Sequence, residues 1–148
     1  METSAIQVDF KTKIPKPVSE VFDAIINPNK MSQYFISSAS GPMVEGKTLT
    51  WVFEDVGASG QVIIKKIDEN QRIVLEWSAT GVPTDVTLIF NPSDANTTEI
   101  HIVESGWPLN NEGVKHALQQ NRGWTDFVCC LKAYLLFNVD LRRGRKAQ

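Results

Sequence analysis

Ile6, Val8 and Phe10 alternate with Gln7, Asp9 and Lys11, the two-residue period of a strand with one face buried. Pro15 and Pro17 end that ladder, because proline has no N–H to donate to it. Val18, Val21, Phe22, Ile25 and Ile26 follow at helical spacing and predict a short amphipathic helix, with Pro17 suited to its first position. Asn27 and Pro28 read as an N-cap and a first-turn proline, so a second short helix is expected to carry Met31, Tyr34 and Phe35.

From Lys47 the period returns to two. Leu49, Trp51 and Phe53 alternate with polar neighbours; Gly57 to Gly60 reads as a turn, and Gln61 to Asp68 as the next strand. Glu69-Asn70 reverses the chain into Arg72 to Ser78, where Ile73, Leu75 and Trp77 share a face. Gly81-Val82-Pro83 turns it again, Val86, Leu88 and Phe90 continue the inward set, and Thr98 to Ser105 is the last strand, with Ile100 and Ile102 inward. Strands of this length and spacing predict an antiparallel meander.

The last third changes period once more. Ala117, Asn121, Trp124, Val128, Leu131 and Leu135 recur at steps of four and three, a largely apolar stripe on one helix from about Asn110 to Asp140. Leu109 and Val114 flank Asn110 at the spacing of a hydrophobic staple around an N-cap. Such a helix would run roughly 45 Å, enough to cross the sheet. Gly123 inside it costs about 1 kcal/mol relative to alanine, which suggests a place where a side chain would collide with the sheet or where the helix bends. The expected fold class is α+β: one domain over residues 1–148 in which a curved, six-stranded antiparallel sheet, with two short helices after its first strand, wraps the long C-terminal helix.

Composition narrows the function classes. The chain has 148 residues and a formal net charge of −2, which fits one globular domain and gives no electrostatic footprint for nucleic acid. Arg142, Arg143, Arg145 and Lys146 follow the last apolar residue and read as a solvated helix end that complements the dipole, with Gly144 as terminator. Cys129 and Cys130 are adjacent on the helix and point about 100° apart, so they read as small buried hydrophobes in a reducing compartment. No signal-peptide pattern and no apolar run of membrane-spanning length is present, so a cytoplasmic protein is expected. His101 and His116 have no second ligand at metal spacing, Gly57-Ala58-Ser59-Gly60 lacks the lysine of a phosphate loop, and the serines show no nucleophile elbow. No catalytic residue, metal or cofactor is therefore expected.

Ser105-Gly106-Trp107 after the last strand, and Gly123-Trp124 followed by Leu131-Lys132 and Leu135 in the helix, carry a resemblance. With the order of elements, the chain resembles the activator-of-Hsp90-ATPase homologue 1-like family, within the START-like or Bet v 1-like helix-grip superfamily that also holds polyketide cyclases and lipid carriers. The likeness runs from about Ile6 to Leu141. It departs where many members carry a tryptophan at the end of the second short helix and this chain has Tyr34-Phe35. The resemblance implies a deep apolar cavity between sheet and long helix. It also implies that stand-alone bacterial members mostly lack an assigned activity, and that eukaryotic activators use a separate N-terminal domain for much of their chaperone binding. Because this sequence begins directly with the helix-grip part, a co-chaperone role is expected to transfer poorly.

The leading expectation is a non-enzymatic module that sequesters a small hydrophobic molecule or lipid between sheet and helix. Trp51, Trp77, Trp107 and Trp124, with Phe53, would offer rigid aromatic contact, Val128 and Leu131 apolar contact from the helix, and Tyr34 and Phe35 the mouth. Glu104, two steps beyond Ile102 in the inward register, is expected at the rim of that space as the polar group that orients the ligand, with Asn121, Arg122 and Asp126 as its partners. Two alternatives remain open: an enzyme of the polyketide cyclase or hydrolase kind using the same cavity, and a module that contacts a chaperone.

Overall fold

The computed structural model of the chain describes residues 6–145. Its elements follow in the order β1 (Ile6–Ile14), α1 (Val18–Ile26), α2 (Pro28–Met31), β2 (Ser38–Ala39), β3 (Thr48–Phe53), β4 (Ala58–Asp68), β5 (Arg72–Trp77), β6 (Thr84–Asp94), β7 (Thr97–Trp107) and α3 (Asn111–Phe137). The strands form one antiparallel sheet in the order β1-β7-β6-β5-β4-β3-β2. The fold is the expected helix-grip arrangement with seven strands in place of six. The additional strand, β2, is two residues long, too short to leave a periodic trace in sequence. One edge of the sheet is β1 and the other is β2.

The alternation read from sequence sets the inner face. Val8, Val62, Ile64, Leu75, Val86, Leu88, Ile100 and Ile102 are buried there, and each such side chain stabilises the fold by about 1.5–3 kcal/mol on leaving water. α3 packs directly on β1 and β7, and α1 lies against β6, β7 and α3. Between α3 and the β3–β5 side of the sheet the backbones stand farther apart, so large side chains must bridge the gap.

Several local expectations are corrected. α2 ends at Met31, and Tyr34 and Phe35 lie in the turns that follow; the Asn27 cap holds, its side chain accepting from Asn29 N–H at 3.0 Å. Pro17 sits one position before α1, as its N-cap. The turn before β4 spans residues 54–57, so Ser59 and Gly60 are in the strand. On α3, Asn121 is exposed and Gln120 takes the inward position. Cys130 is buried but Cys129 is exposed.

The start of α3 is fixed by backbone contact instead of a staple. Asn110 caps it by accepting from Gly113 N–H at 2.8 Å, while Leu109 and Val114 remain 63% and 44% exposed. A Cβ on Gly113 would lie 1.8 Å from the Pro108 carbonyl oxygen. At Gly123 a Cβ would meet nothing within 4 Å, so the collision expected there is absent.

The end of α3 also differs. Asn138 adopts the left-handed conformation (φ 54°) and its N–H returns to the Ala133 and Tyr134 carbonyls, which stops the helix at Phe137, ahead of the expected Asp140. The basic segment then folds back, and two of its arginines pair with carboxylates while Arg143 and Arg145 stay exposed. Arg142 pairs with Asp55, and Arg145 donates to both oxygens of Asp126 at 2.8 and 3.0 Å. Lys146 lies outside the described residues.

Two glycine substitutions separate steric from propensity effects in urea unfolding. Gly113→Ala is expected to destabilise the fold by about 2 kcal/mol despite alanine's higher helix propensity. Gly123→Ala, which enters open space, is expected to stabilise it by up to about 1 kcal/mol. Acid unfolding tests the folded-back tail. Arg145 holds the Asp126 carboxyl below the ordinary carboxylate range. Its stabilisation is present above the ordinary value of about 4 and is lost as pH falls through the lower value in the folded chain. Because the Asp126 side chain is 46% exposed, the contribution stays below about 1 kcal/mol. Asp126→Asn is expected to remove that part of the acid limb and little else.

Candidate functional site

The gap between α3 and the far side of the sheet is bridged by a closed circuit of six aromatic rings. Phe53 packs edge-on against Phe35 at 5.2 Å, Phe35 against Phe127 at 4.8 Å, and Phe127 against Trp124 at 5.3 Å. Trp124 meets Trp77 at 5.6 Å, Trp77 meets Trp51 at 5.9 Å, and Trp51 returns to Phe53 at 6.5 Å. Edge-to-face pairs of this kind each add about 0.5–1.5 kcal/mol beyond their burial. The space that the sequence suggested as a ligand cavity under the helix is thus occupied by rings from β3, β5, α3 and the turn after α2.

Glu104 lies inside this assembly, and its burial is complete. It was expected at a rim; the register argument placed it correctly on the inner face, but α3 covers that end of β7. Its Oε2 accepts from Trp77 Nε1 at 2.9 Å and from the Thr84 hydroxyl at 2.6 Å; its Oε1 accepts from Trp124 Nε1 at 2.7 Å and from Gln120 Nε2 at 3.0 Å. All four donors are neutral side chains, from β5, β6 and α3. The partners expected from sequence do not supply them: Asn121 and Arg122 are exposed, and Asp126 pairs with Arg145. Gly106 contributes to this geometry. Its φ of 133° and the 3.0 Å that would separate a Cβ from the Pro83 carbonyl oxygen let β7 run close beside Thr84. The Ser-Gly-Trp signal in the sequence thereby acquires a steric reason.

With its lone pairs engaged and no solvent contact, Glu104 acts as a tie that sets the planes of two indoles. Trp77 spends its N–H on that tie, so it offers other molecules only the face and carbon edge of its ring.

A hollow of about 430 Å³ opens beside the circuit, lined by Trp51 and Phe53 of β3, by residues 58–63 of β4, by Glu76 and Trp77 of β5, and by Ser78 and Ala79. It belongs to the sheet side alone, with no lining residue from α3. The strand register explains why it exists: Trp51 stands opposite Gly60 and Phe53 opposite Ala58, so large rings rise beside positions with almost no side chain. A Cβ on Gly60 would meet nothing within 4 Å. A second recess of about 240 Å³ is lined among others by Tyr34, Phe35, Asp55, Asp140 and Arg142.

The expected site residues therefore divide. Trp51, Phe53 and Trp77 line the hollow, and Tyr34 and Phe35 line the recess. Tyr34 is buried, donates its hydroxyl to the Ala24 carbonyl at 2.9 Å, and burial pushes its phenol well above the usual range. Glu104, Trp124, Val128 and Leu131 form the packing behind the hollow, and Trp107 donates to the Thr80 hydroxyl at 3.0 Å. Sequence reasoning missed Gln120 and Thr84, whose role depends on a contact across chain segments, and Ala58 and Gly60, which it assigned to a turn. It also missed Phe127, one step off the predicted stripe. Among the described residues no group of three or more His, Cys, Asp or Glu side chains is placed to hold a metal ion, and no helix is long and apolar enough to cross a membrane.

Residues 15–136 match the family profile described as Activator of Hsp90 ATPase homolog 1-like protein. No curated protein sequence matches the chain. Among solved structures, protein SSP2350 from Staphylococcus saprophyticus is 30% identical, covering 93% of this chain and 96% of its own, with a TM-score of 0.80. DynU16, titled a putative protein in the dynemicin biosynthetic locus, is 26% identical over 96% of this chain and 51% of its own, with a TM-score of 0.82. The Aha1 dimer from Colwellia psychrerythraea, 18% identical over 94% of this chain and 99% of its own at a TM-score of 0.74, shares the fold.

Replacing the buried carboxylate tests its role as a tie. Glu104→Leu strands two indole N–H groups, a hydroxyl and an amide, and is expected to destabilise the chain by about 3 kcal/mol. Glu104→Gln, which keeps one acceptor oxygen, is expected to lose less. Chemical unfolding followed by tryptophan emission checks both.

Proposed function

The chain belongs to the Activator of Hsp90 ATPase homolog 1-like family, and from that premise we propose that it binds a small, flat, largely apolar molecule in the hollow on β3, β4 and β5. The observation that carries this reading is the pairing of rings with missing side chains. Trp51, Phe53 and Trp77 wall a space of about 430 Å³ whose floor is Ala58, Gly60 and Val62. That volume lies within the range of sites for small organic ligands. A planar molecule lying on the β4 backbone would meet aromatic faces and edges, which favour other π systems and apolar carbon.

Recognition by shape and face follows from the spent hydrogen bonds. Trp77 directs its N–H to Glu104, so Glu104 sets the wall without reaching the occupant. Polar contact is left to the β4 backbone and to Ser78 at the margin, because Ser59, Gln61 and Glu76 alternate with the ring-face residues; these would fix orientation while apolar burial supplied affinity at about 25 cal/mol per Å². The likeness to DynU16, a putative protein in the dynemicin biosynthetic locus, supports an organic ligand. The carrying feature is concave, which favours a small molecule over a chaperone as the occupant, and binding accounts for it without a catalytic step.

Titration with N-phenyl-1-naphthylamine, an uncharged, apolar fluorophore with a flat naphthyl ring, tests the reading. Saturable binding at one site is expected, and Gly60→Leu, which fills the hollow from a position with room for a side chain, is expected to weaken it about tenfold or more, ~1.4 kcal/mol. Equal affinity in the variant, or no saturable binding to the wild type, would overturn it.

A further inference from the structure

We infer that Arg142 and Asp55 form a clasp that closes the grip on its open side and governs the size of the hollow; the inference rests on the ligand-binding reading above. The sheet holds α3 unequally. β1 and β7 pack directly on the helix, whereas the β3–β4 hairpin, one short strand from the opposite edge, meets the α3 side through rings and through the segment that follows the helix. That segment reverses at Asn138, is pinned to α3 by Arg145 on Asp126, and presents Arg142 to Asp55 in the turn between β3 and β4.

The pair is built like a lock. Its side chains are 13% and 10% exposed, Arg142 Nε donates to Asp55 Oδ2 at 3.0 Å, and Nη2 faces Oδ1. The guanidinium is held by one charge-assisted hydrogen bond at Oδ2 and by charge attraction at Oδ1, which accepts no hydrogen bond. The same guanidinium lies 5.8 Å from the Phe35 ring centre and 5.7 Å from that of Phe53. Phe53 lines the hollow, and Phe35 lines the recess. Arg142 therefore pins the two rings that partition one space from the other. The turn is also tied by Glu54 N–H to Ser37 Oγ at 2.8 Å, in the segment after α2 that carries Phe35.

When the clasp parts, the hairpin with Phe53 can swing from the C-terminal end of α3, and hollow and recess become one longer cavity. Closed, the site selects compact flat ligands. Open, it takes extended ones.

Two readouts on Arg142→Gln, repeated on Asp55→Asn in case one variant folds poorly, test this. Amide hydrogen exchange in the β3–β4 hairpin is expected to accelerate about tenfold while β6 and β7 keep their protection. Affinity for 1,6-diphenylhexatriene, longer than the naphthylamine, is expected to rise about tenfold while that for N-phenyl-1-naphthylamine changes less than threefold. Unchanged hairpin exchange, or no gain for the longer probe while the shorter still binds, overturns the clasp and leaves the hollow standing. If neither probe binds the wild type, the binding reading fails and the gate fails with it.

Discussion

One buried carboxylate organises this molecule. Glu104 comes from the middle strand of a three-strand group, is flanked by β1 and β6, and is covered by α3. An isolated charge in such a place would cost several kcal/mol, and the chain offsets this with four donors from four separate side chains. Each donor is tied to the others through a single acceptor group. The position of α3 along the sheet, the planes of Trp77 and Trp124, and the approach of β6 to β7 are therefore aspects of one arrangement. Hydrophobic burial drives the helix onto the sheet but is tolerant of sliding; directional bonds to a fixed point are not.

From that constraint the aromatic circuit follows. With Trp77 and Trp124 set by Glu104, the remaining rings fill the distance between α3 and the β3–β5 side in mostly edge-to-face contacts. On that side the helix thereby gains a wide apolar seat made of side chains, with its backbone held away from β3, β4 and β5. The hollow is the residue of this packing, left where β4 carries Ala58 and Gly60 opposite the largest side chains of β3. The site and the core are made from the same residues, so the wall of one is the support of the other.

The fold was legible because its long elements each show their period. β5, β6 and β7 repeat every two residues, and the α3 stripe repeats every three to four. What escaped was short or nonlocal. β2 has two residues. The end of α3 turned on a single left-handed asparagine in an apolar neighbourhood, and the basic tail found carboxylates at Asp55 and Asp126 that no local pattern announces. The inward placement of Glu104 was readable from register, whereas its depth depended on where the helix lay. A turn reading of Gly57 to Gly60 hid the two small residues that make the hollow, since glycine in a strand and glycine in a turn look alike without a partner strand.

The sheet borders carry a separate consequence. β1 leaves a nine-residue edge, a template on which another chain could lengthen the sheet. Its outward row bears Asp9, Lys11 and Lys13, and Pro15 and Pro17 follow at once, charges and missing donors that discourage such growth. At the opposite border β2 is too brief to nucleate pairing. These features guard the long β1 margin against pairing, and neutralising the two lysines would be the shortest route to losing that protection.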